Sequence, residues 1–415
     1  MTPSYSEMTR VFGHIGVMSF GGPAAQIALM HKELVEERPW LDEQSYLRAL
    51  SLCMLLPGPE AMQLATYSGW KLRGVWGGLL AGGLFVLPGA FVIALLVALY
   101  AQYGDLPVVQ SMFLGIKAAV IVIVLQALRN LSRKALKGRA SWCLAGLGFL
   151  AIFALNLPFP VIIAAAALWG YANAQTGETP ALPKVDTKAT LRTAVIWGGL
   201  WLLPLVSLTL AGQSLLSDLG WFFAKLAVVT FGGAYAVLAY MTQTIVDQYG
   251  WIGTDQMIDA LGLAETTPGP LILVTQFVAM LTGQLAGGAS LAIAAGIVAL
   301  WATFVPCFLW IFLAAPYLDH IAARPRLASA LQAITATVVG IILNLSVWFA
   351  LHVLFEHVTQ LKWGVLKLPM PEWATFDVTA GVFCLISAIW MWGLKRRLGE
   401  TLILMAVLGA SAHLL

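Results

Sequence analysis

The chain has 415 residues, of which 60% are hydrophobic and 10% are charged, with 23 basic and 20 acidic side chains and a net charge of +3. Soluble domains run near 25% charged residues, and a phosphate-binding protein needs far more positive charge, so an ordinary cytosolic enzyme, a disordered chain and a nucleic-acid binder are excluded. What remains is an all-α, polytopic integral membrane protein.

The first apolar stretch, residues 9–30, starts after Arg10 and is interrupted by Ser19-Phe20-Gly21-Gly22-Pro23. It has no small-residue cleavage site behind it, so no cleavable signal peptide is expected. The stretch 46–68 is interrupted in the same manner by Leu56-Pro57-Gly58-Pro59. Proline lacks a backbone donor and glycine loosens the helical ladder, so both segments are expected to break near their middles. Continuous spans follow at 75–100 and 108–127, with 141–156 and 158–173 as a short hairpin. A polar stretch around Gln175-Thr176-Gly177-Glu178-Thr179-Pro180 reads as an exposed linker. It divides the chain into residues 1–172, a cytoplasmic linker at 173–190, and residues 191–415. A further span at 193–212 precedes two more broken segments, 221–241 and 257–282, and then spans at 289–314, 328–350, 376–393 and 399–414.

The two parts carry one unit twice. Phe20-Gly21-Gly22 recurs as Phe231-Gly232-Gly233, Trp40 as Trp251 and Pro57-Gly58-Pro59 as Pro268-Gly269-Pro270, all 211 residues apart. Beyond these the register slips by seven, so that Pro88 corresponds to Pro306. Several matches at one constant offset mark a duplicated unit. If the broken segments enter and leave by one face, most of the 23 basic residues collect on one side, and only Lys362 and Lys367 face the other. The positive-inside rule makes the basic side cytoplasmic, with the N-terminus there too, and favours re-entrant over fully spanning broken segments. The extra span at 193–212 inverts the second repeat relative to the first. Inverted repeats with discontinuous helices are a transporter design whose site lies at mid-membrane.

The break motifs point to an anion. Each proline suits the first turn of a new half-helix, whose unpaired N–H groups carry a partial positive charge. The expected substrate contacts are Ser19, Phe20, Gly21, Gly22, Gln26, Pro57, Gly58, Pro59 and Gln63 in the first copy. Thr230, Phe231, Gly232, Gly233, Thr267, Pro268, Gly269 and Pro270 are their counterparts in the second. Two lysines within apolar helices, Lys117 and Lys225, are read as substrate contacts or counter-charges, because an intramembrane charge is costly and tends to be functional. Glu60 and Glu265 flank the two breaks and are candidates for proton coupling. Thr66, Gln126, Gln276 and Asn344 are polar groups at membrane depth that can complete a hydrogen-bonding shell or join helices. His14 and the four scattered cysteines, without CxxC spacing, read as packing residues. No metal site and no cofactor is expected, and no Walker-type GxxxxGK[ST] is present, which agrees with a secondary carrier.

With these motifs in hand the chain resembles the chromate ion transporter family in its two-domain, long-chain form. The resemblance rests on Ser19-Phe20-Gly21-Gly22-Pro23 with Gln26-Ile27-Ala28, on Glu36-Glu37-Arg38-Pro39-Trp40-Leu41, and on Leu56-Pro57-Gly58-Pro59-Glu60-Ala61-Met62-Gln63-Leu64-Ala65. Phe231-Gly232-Gly233-Ala234-Tyr235-Ala236-Val237-Leu238 and Thr267-Pro268-Gly269-Pro270 carry it in the second copy. One departure is Ala25-Gln26, where the family pattern leads one to expect a histidine nearby. The resemblance implies export of chromate, a sulfate-shaped dianion, across a bacterial inner membrane. Its partners would be the oxyanion and the bilayer, with a homodimer as a further expectation and no nucleic acid. Uptake or exchange of sulfate or another oxyanion is the nearest rival, and a non-transporting, lipid-handling membrane protein is the rival from another class. An intramembrane enzyme is disfavoured, since neither HExxH nor a Ser–His or paired-Asp constellation sits at membrane depth.

Overall fold

The computed structural model describes residues 3–174, 186–231, 234–318, 324–363 and 366–414. Gly232 and Gly233, and residues 175–185 of the expected linker, lie outside the described residues. Among the described residues five helical stretches are long and apolar enough to cross a membrane.

Helix α1 (Tyr5–Met18) opens on a capping box in which the Ser4 hydroxyl accepts the Glu7 N–H and Glu7 accepts the Ser4 N–H. It stops at Ser19, whose hydroxyl turns back onto the Ile15 carbonyl at 2.5 Å. Gly21 and Gly22 follow at φ +85° and +80°, a left-handed pair open to glycine. Pro23 then starts α2 (Gly22–His31). A wide turn leads to α3 (Glu43–Leu55), capped by Asp42. Pro57-Gly58-Pro59 ends that helix, and α4 (Glu60–Tyr103) begins.

Helix α4 is two antiparallel arms, residues 60–72 and 75–103, folded at Arg73 and Gly74, where φ reaches +62°. The arms meet through glycines: a Cβ on Gly69 would lie 2.1 Å from the Gly77 carbonyl oxygen. At about 1.5 Å per residue the first arm covers about 20 Å, short of a bilayer core of about 30 Å, while the second covers about 43 Å and crosses it. The break points lie near the middle of that second arm. Gly16, one turn before Ser19, lies against Leu84 and Pro88, and the Pro268 carbonyl lies against Gly89.

Next come α5 (Pro107–Ala135), α6 (Arg139–Phe153), α7 (Phe159–Ala172) and α8 (Thr187–Leu210). Helix α8 starts inside the stretch expected as linker, because Asp186 caps it by accepting the Ala189 N–H. Then come α9 (Ser214–Val229), α10 (Ala234–Gln243), α11 (Thr254–Thr266), a single tight turn (Leu271–Leu273) and α12 (Val274–Ala314). Helix α12 folds back at Gly287 and Gly288 as α4 does at Arg73 and Gly74. The spacing seen in the motifs holds for these elements: α3 and α11 have equal lengths 211 residues apart, as do the stretches 60–103 and 271–314.

The chain ends with α13 (Pro325–Leu354), α14 (Val378–Ala388) and α15 (Leu398–Leu414). Between α13 and α14 lies an antiparallel hairpin, β1 (Val358–Trp363) with β2 (Leu366–Pro371), Thr359 opposite Met370. It is the one departure from an all-α architecture among the described residues, and the sequence reading left that stretch unassigned. Its prolines, Pro369 and Pro371, are tolerated because a two-stranded hairpin consists only of edges.

The helices form two compact units that interleave along the chain. The first takes residues 1–98, 175–234 and 267–328, and the second takes residues 99–174, 235–266 and 329–415. In the second unit the terminal hairpins of the two halves are exchanged. Helix α5 packs on α14 and α15, where Gly115 meets the Met405 carbonyl and Gly409 the Ser111 carbonyl. Helix α13 packs on α6 and α7, where Gly340 meets the Ala145 carbonyl and the Ser329 hydroxyl donates to the Gly170 carbonyl at 2.7 Å. Small residues let helix backbones approach closely where lipid supplies no hydrophobic drive between helices.

Two measurements probe this packing. A Cβ at Gly340 would lie 1.9 Å from the Ala145 oxygen, whereas Gly83 has open space around it. Gly340→Ala is expected to cost about 1–3 kcal/mol by overpacking, and Gly83→Ala to be neutral or slightly stabilising, read as melting temperature in detergent. On the polar side, His31 bridges Glu43 (2.7 Å) and Glu36 (3.1 Å). The Glu43 hydrogen bond raises the His31 pKa above its usual 6.5 against a smaller opposing effect of burial. Its stabilising contribution is therefore complete below pH 6.5 and is lost as pH rises through the raised value. His31→Gln is expected to remove that part of the decline in melting temperature above pH 6.5.

Candidate functional site

The described residues of the break motifs, Ser19 to Pro23, Pro57 to Pro59, Thr230 and Phe231, and Thr267 to Pro270, fall in the first unit. Within each Pro-Gly-Pro tripeptide only the glycine has an N–H, and both glycine N–H groups are used across the repeat. Gly58 donates to the Thr230 carbonyl at 2.8 Å, and Gly269 donates to the Ser19 carbonyl at 2.9 Å. Ser19 and Thr230 are 211 residues apart, as are Gly58 and Gly269. The break in each half is thus tied to the other break of the opposite half. The correspondence extends outward: the Thr230 hydroxyl donates to the Leu226 carbonyl at 2.6 Å, as Ser19 does to Ile15, again 211 residues away.

The surrounding side chains reinforce the tips. Gln26, buried, donates its amide to the Gly269 carbonyl at 2.7 Å and to the Ser19 carbonyl at 3.2 Å. Gln63, also buried, donates to the Pro57 carbonyl at 2.6 Å. Gln276 reaches the Ala90 carbonyl at 3.0 Å, and the Thr66 hydroxyl caps back onto Met62. Gly58 sits at φ +119° with Gln63 Nε2 and Cys307 Sγ at 2.9 and 3.0 Å from the place a Cβ would take. Cys307 therefore packs against the first tip itself, a placement its scattered position in the sequence did not signal.

Two of the new half-helical starts, at α2 and at the turn leading to α12, leave their first N–H groups without side-chain caps. Neither Gly21 before α2 nor Pro270 before the turn leading to α12 supplies one. A helix N-terminus in that state attracts negative charge. Glu60 stands in the first turn of α4 and brings a carboxylate to the same place. The two halves differ in exposure. Phe20 is 47% exposed and Pro57 and Pro59 are half-buried, whereas Thr267 (5%), Pro268 and Pro270 are buried and Phe231 is half-buried.

The remaining residues singled out from the sequence divide between the two units. Lys225 is in the first unit, on α9, with its side chain exposed. Lys117 is in the second unit, buried on α5, and is paired with Asp255 and Asp259 of α11 at 3.2 Å each. Both of these partners are protein carboxylates. Glu265, also in the second unit, accepts the Tyr235 hydroxyl at 2.8 Å. Gln126 accepts the Trp392 indole N–H at 3.2 Å, and Asn344 is buried in α13. His14 faces Glu33 at 3.6 Å rather than a purely apolar neighbourhood. Asp255 and Asp259 escaped the sequence reading. Their i, i+4 spacing places both carboxylates on one face of α11, and that spacing was the available signal. Among the described residues no group of His, Cys, Asp and Glu is arranged to hold a metal ion.

The chromate transporter family model matches residues 6–171 and 217–413 of the chain. A probable chromate transport protein of Synechococcus elongatus is 30% identical over 407 residues, covering 97% of this chain and 94% of that protein. Chromate transport proteins of Cupriavidus metallidurans and Pseudomonas aeruginosa are each 30% identical and cover 82% of this chain, and 82% and 79% of their own lengths. No solved structure matches the chain. With its broken apolar helices and long membrane spans, this multi-pass membrane protein belongs to the chromate transporter family.

Proposed function

We propose that the protein is a secondary carrier that exports chromate across a bacterial inner membrane by alternating access of two inverted repeats. The observation that carries the proposal is the reciprocal pair of bonds, Gly58 to Thr230 and Gly269 to Ser19, which ties the breaks of one half to those of the other in two matching pairs. A two-fold relation between the halves exchanges these two bonds, and inverted repeats meeting at mid-membrane supply such a relation. The turn back of the first broken segment supports re-entry: Phe12 and His14, ahead of the break, contact Trp40 and Glu33 after α2. The anion would sit against the uncapped N-termini beside Phe20, Gly21, Gly22 and Pro59, with the Gln26 and Gln63 amides holding the tips in place. Phe231, Gly232, Gly233 and Pro268 to Pro270 would form the counterpart. The open first tips and sealed second tips suit a carrier facing one side.

Electrostatics supports the outward direction. A dianion leaving an inside-negative cell gains about 4.6 kcal/mol per 100 mV. At about 1.4 kcal/mol per decade this sustains an outward gradient of roughly three decades without ATP. The distribution of basic loops supports a cytoplasmic N-terminus and linker.

Proteoliposomes test the reading directly. Chromate flux is expected to rise with a potassium-diffusion potential that pulls anions outward, and chromate is expected to raise the melting temperature of the purified protein more than chloride does. A protein that neither carries nor is stabilised by chromate, sulfate or molybdate would sink the transport reading in favour of a lipid-handling one. Two variants test the tips. Gly22→Val forces a β-branched residue to φ +80°, although nothing lies within 4 Å to clash with its Cβ. It is expected to weaken chromate affinity at least tenfold while the protein still inserts. Gly58→Ala places a methyl against Gln63 and Cys307 at the tip, and is expected to lower flux at least tenfold.

A further inference from the structure

The anion site described above makes no use of the second unit's ionic cluster, which is built in depth. Asp255, in the first turn of α11, is 82% exposed. Lys117 is 8% exposed and reaches both Asp255 and Asp259. Asp259, one turn further along α11, is 1% exposed, and its Oδ2 accepts the Tyr100 hydroxyl at 2.7 Å. Among the described residues its Oδ1 accepts no hydrogen bond, and the Lys117 ammonium lies 3.2 Å from it. Lys117 stands ten residues into α5, about 15 Å of helix from its start. A buried ion pair is weak evidence for a stabilising role, because well-packed apolar residues of similar volume often do as well or better. Its presence in an apolar helix calls for a function, and an ionised oxygen without a hydrogen bond is a place to add a proton.

We propose that Asp259, with Lys117 as its counter-charge, is the proton-binding site of this carrier, fed through Asp255. The inference rests on the export reading and adds its coupling ion. The proton comes from solvent through the Asp255 carboxylate and settles on Oδ1 of Asp259, which changes from carboxylate to carboxylic acid. Lys117 keeps its own proton and turns to Asp255. The cluster of one ammonium and two carboxylates passes from a net charge of −1 to neutral, and nothing else is consumed. The neighbouring ionisable groups are Tyr100 at the end of α4, Asp105 in the turn after it, and His352 on α13, which feels Asp247 and Asp255; Cys384 on α14 reaches α5 at the Ala118 carbonyl. Asp255 follows directly on the stretch 244–253 and Asp105 acts on Tyr100, and neither 244–253 nor 104–106 contains a lysine or arginine, which supports proton entry from the external side. The site also grips the helix that ends at the second break. Gly262, three residues beyond Asp259, lies against Ile116 of α5. Neutralising Asp259 weakens the hold of α5 on α11 just ahead of Thr267-Pro268-Gly269-Pro270. An oxyanion leaving and a proton entering are both driven by an inside-negative potential.

The test uses the full chain in proteoliposomes containing a pH-sensitive dye, with the potential clamped by valinomycin and potassium. Chromate movement by the wild-type protein is expected to carry protons in the opposite direction. Asp259→Asn is expected to lower proton movement per chromate at least tenfold while chromate still raises the melting temperature. Because Asp259→Asn removes the buried counter-charge of Lys117 and so challenges folding, Lys117→Gln with Asp259→Asn, a neutral pair, serves alongside it with the same expectation. Chromate movement by the wild type without protons, or proton movement at the wild-type ratio in either variant, overturns the site. Absence of any chromate movement by the wild type instead removes the export reading, and this inference with it.

Discussion

An interrupted backbone in the middle of a bilayer has no water to turn to, so every N–H and carbonyl it frees must find a partner in the protein. This protein meets the constraint at four places at once by pairing breaks between its halves. Each Pro-Gly-Pro has one N–H, and that one is given to the carbonyl at which the opposite half's first helix stops. The prolines reduce the number of donors to be satisfied, and the glycines permit the left-handed turns at φ +119° and +89°. Beyond two of the breaks, at α2 and at the turn leading to α12, the first N–H groups have no side-chain cap and are the groups we propose the anion satisfies. The anion site we propose follows from how the breaks are closed, since the bond that settles each tip is distinct from the groups left facing the ligand.

This arrangement changes where positive charge comes from. Formal cations at membrane depth are the obvious partners for a dianion, and Lys117 is the conspicuous one. The structure gives it to Asp255 and Asp259 instead. In the site we propose, the positive charge comes from backbone dipole, with the acid Glu60 in the first turn of α4. Partial charges of about half a unit at each helix end attract an oxyanion less strongly than an unscreened ammonium would, which suits a carrier that must also let go.

The second unit solves a different problem. Apolar helices in lipid gain nothing from hydrophobic burial, so contact surfaces rely on close backbone approach and a few hydrogen bonds. The long helix of each half, α5 or α13, takes the terminal hairpin of the other half against its glycines. Neither half can complete this unit without the other.

Much of this was legible in the residues alone. Span positions follow from apolar runs, breaks from proline and glycine, and the repeat from a constant offset, because each depends on local chemistry or on spacing along the chain. The polar hairpin at 358–371 was not legible, since its strands are short and contain prolines. Which partner a polar group takes was not legible either. Lys117 and Asp259 are 142 positions apart in the chain, and nothing local distinguishes a lysine meant for substrate from one meant for a carboxylate. Only the tertiary structure decided that Gly58 meets Thr230 and Gly269 meets Ser19, that Lys117 belongs to a separate cluster, and that the terminal hairpins change places. Those outcomes depend on which helices pack side by side, and packing is set by the whole chain at once, whereas helix, break and span are set by a few neighbouring residues.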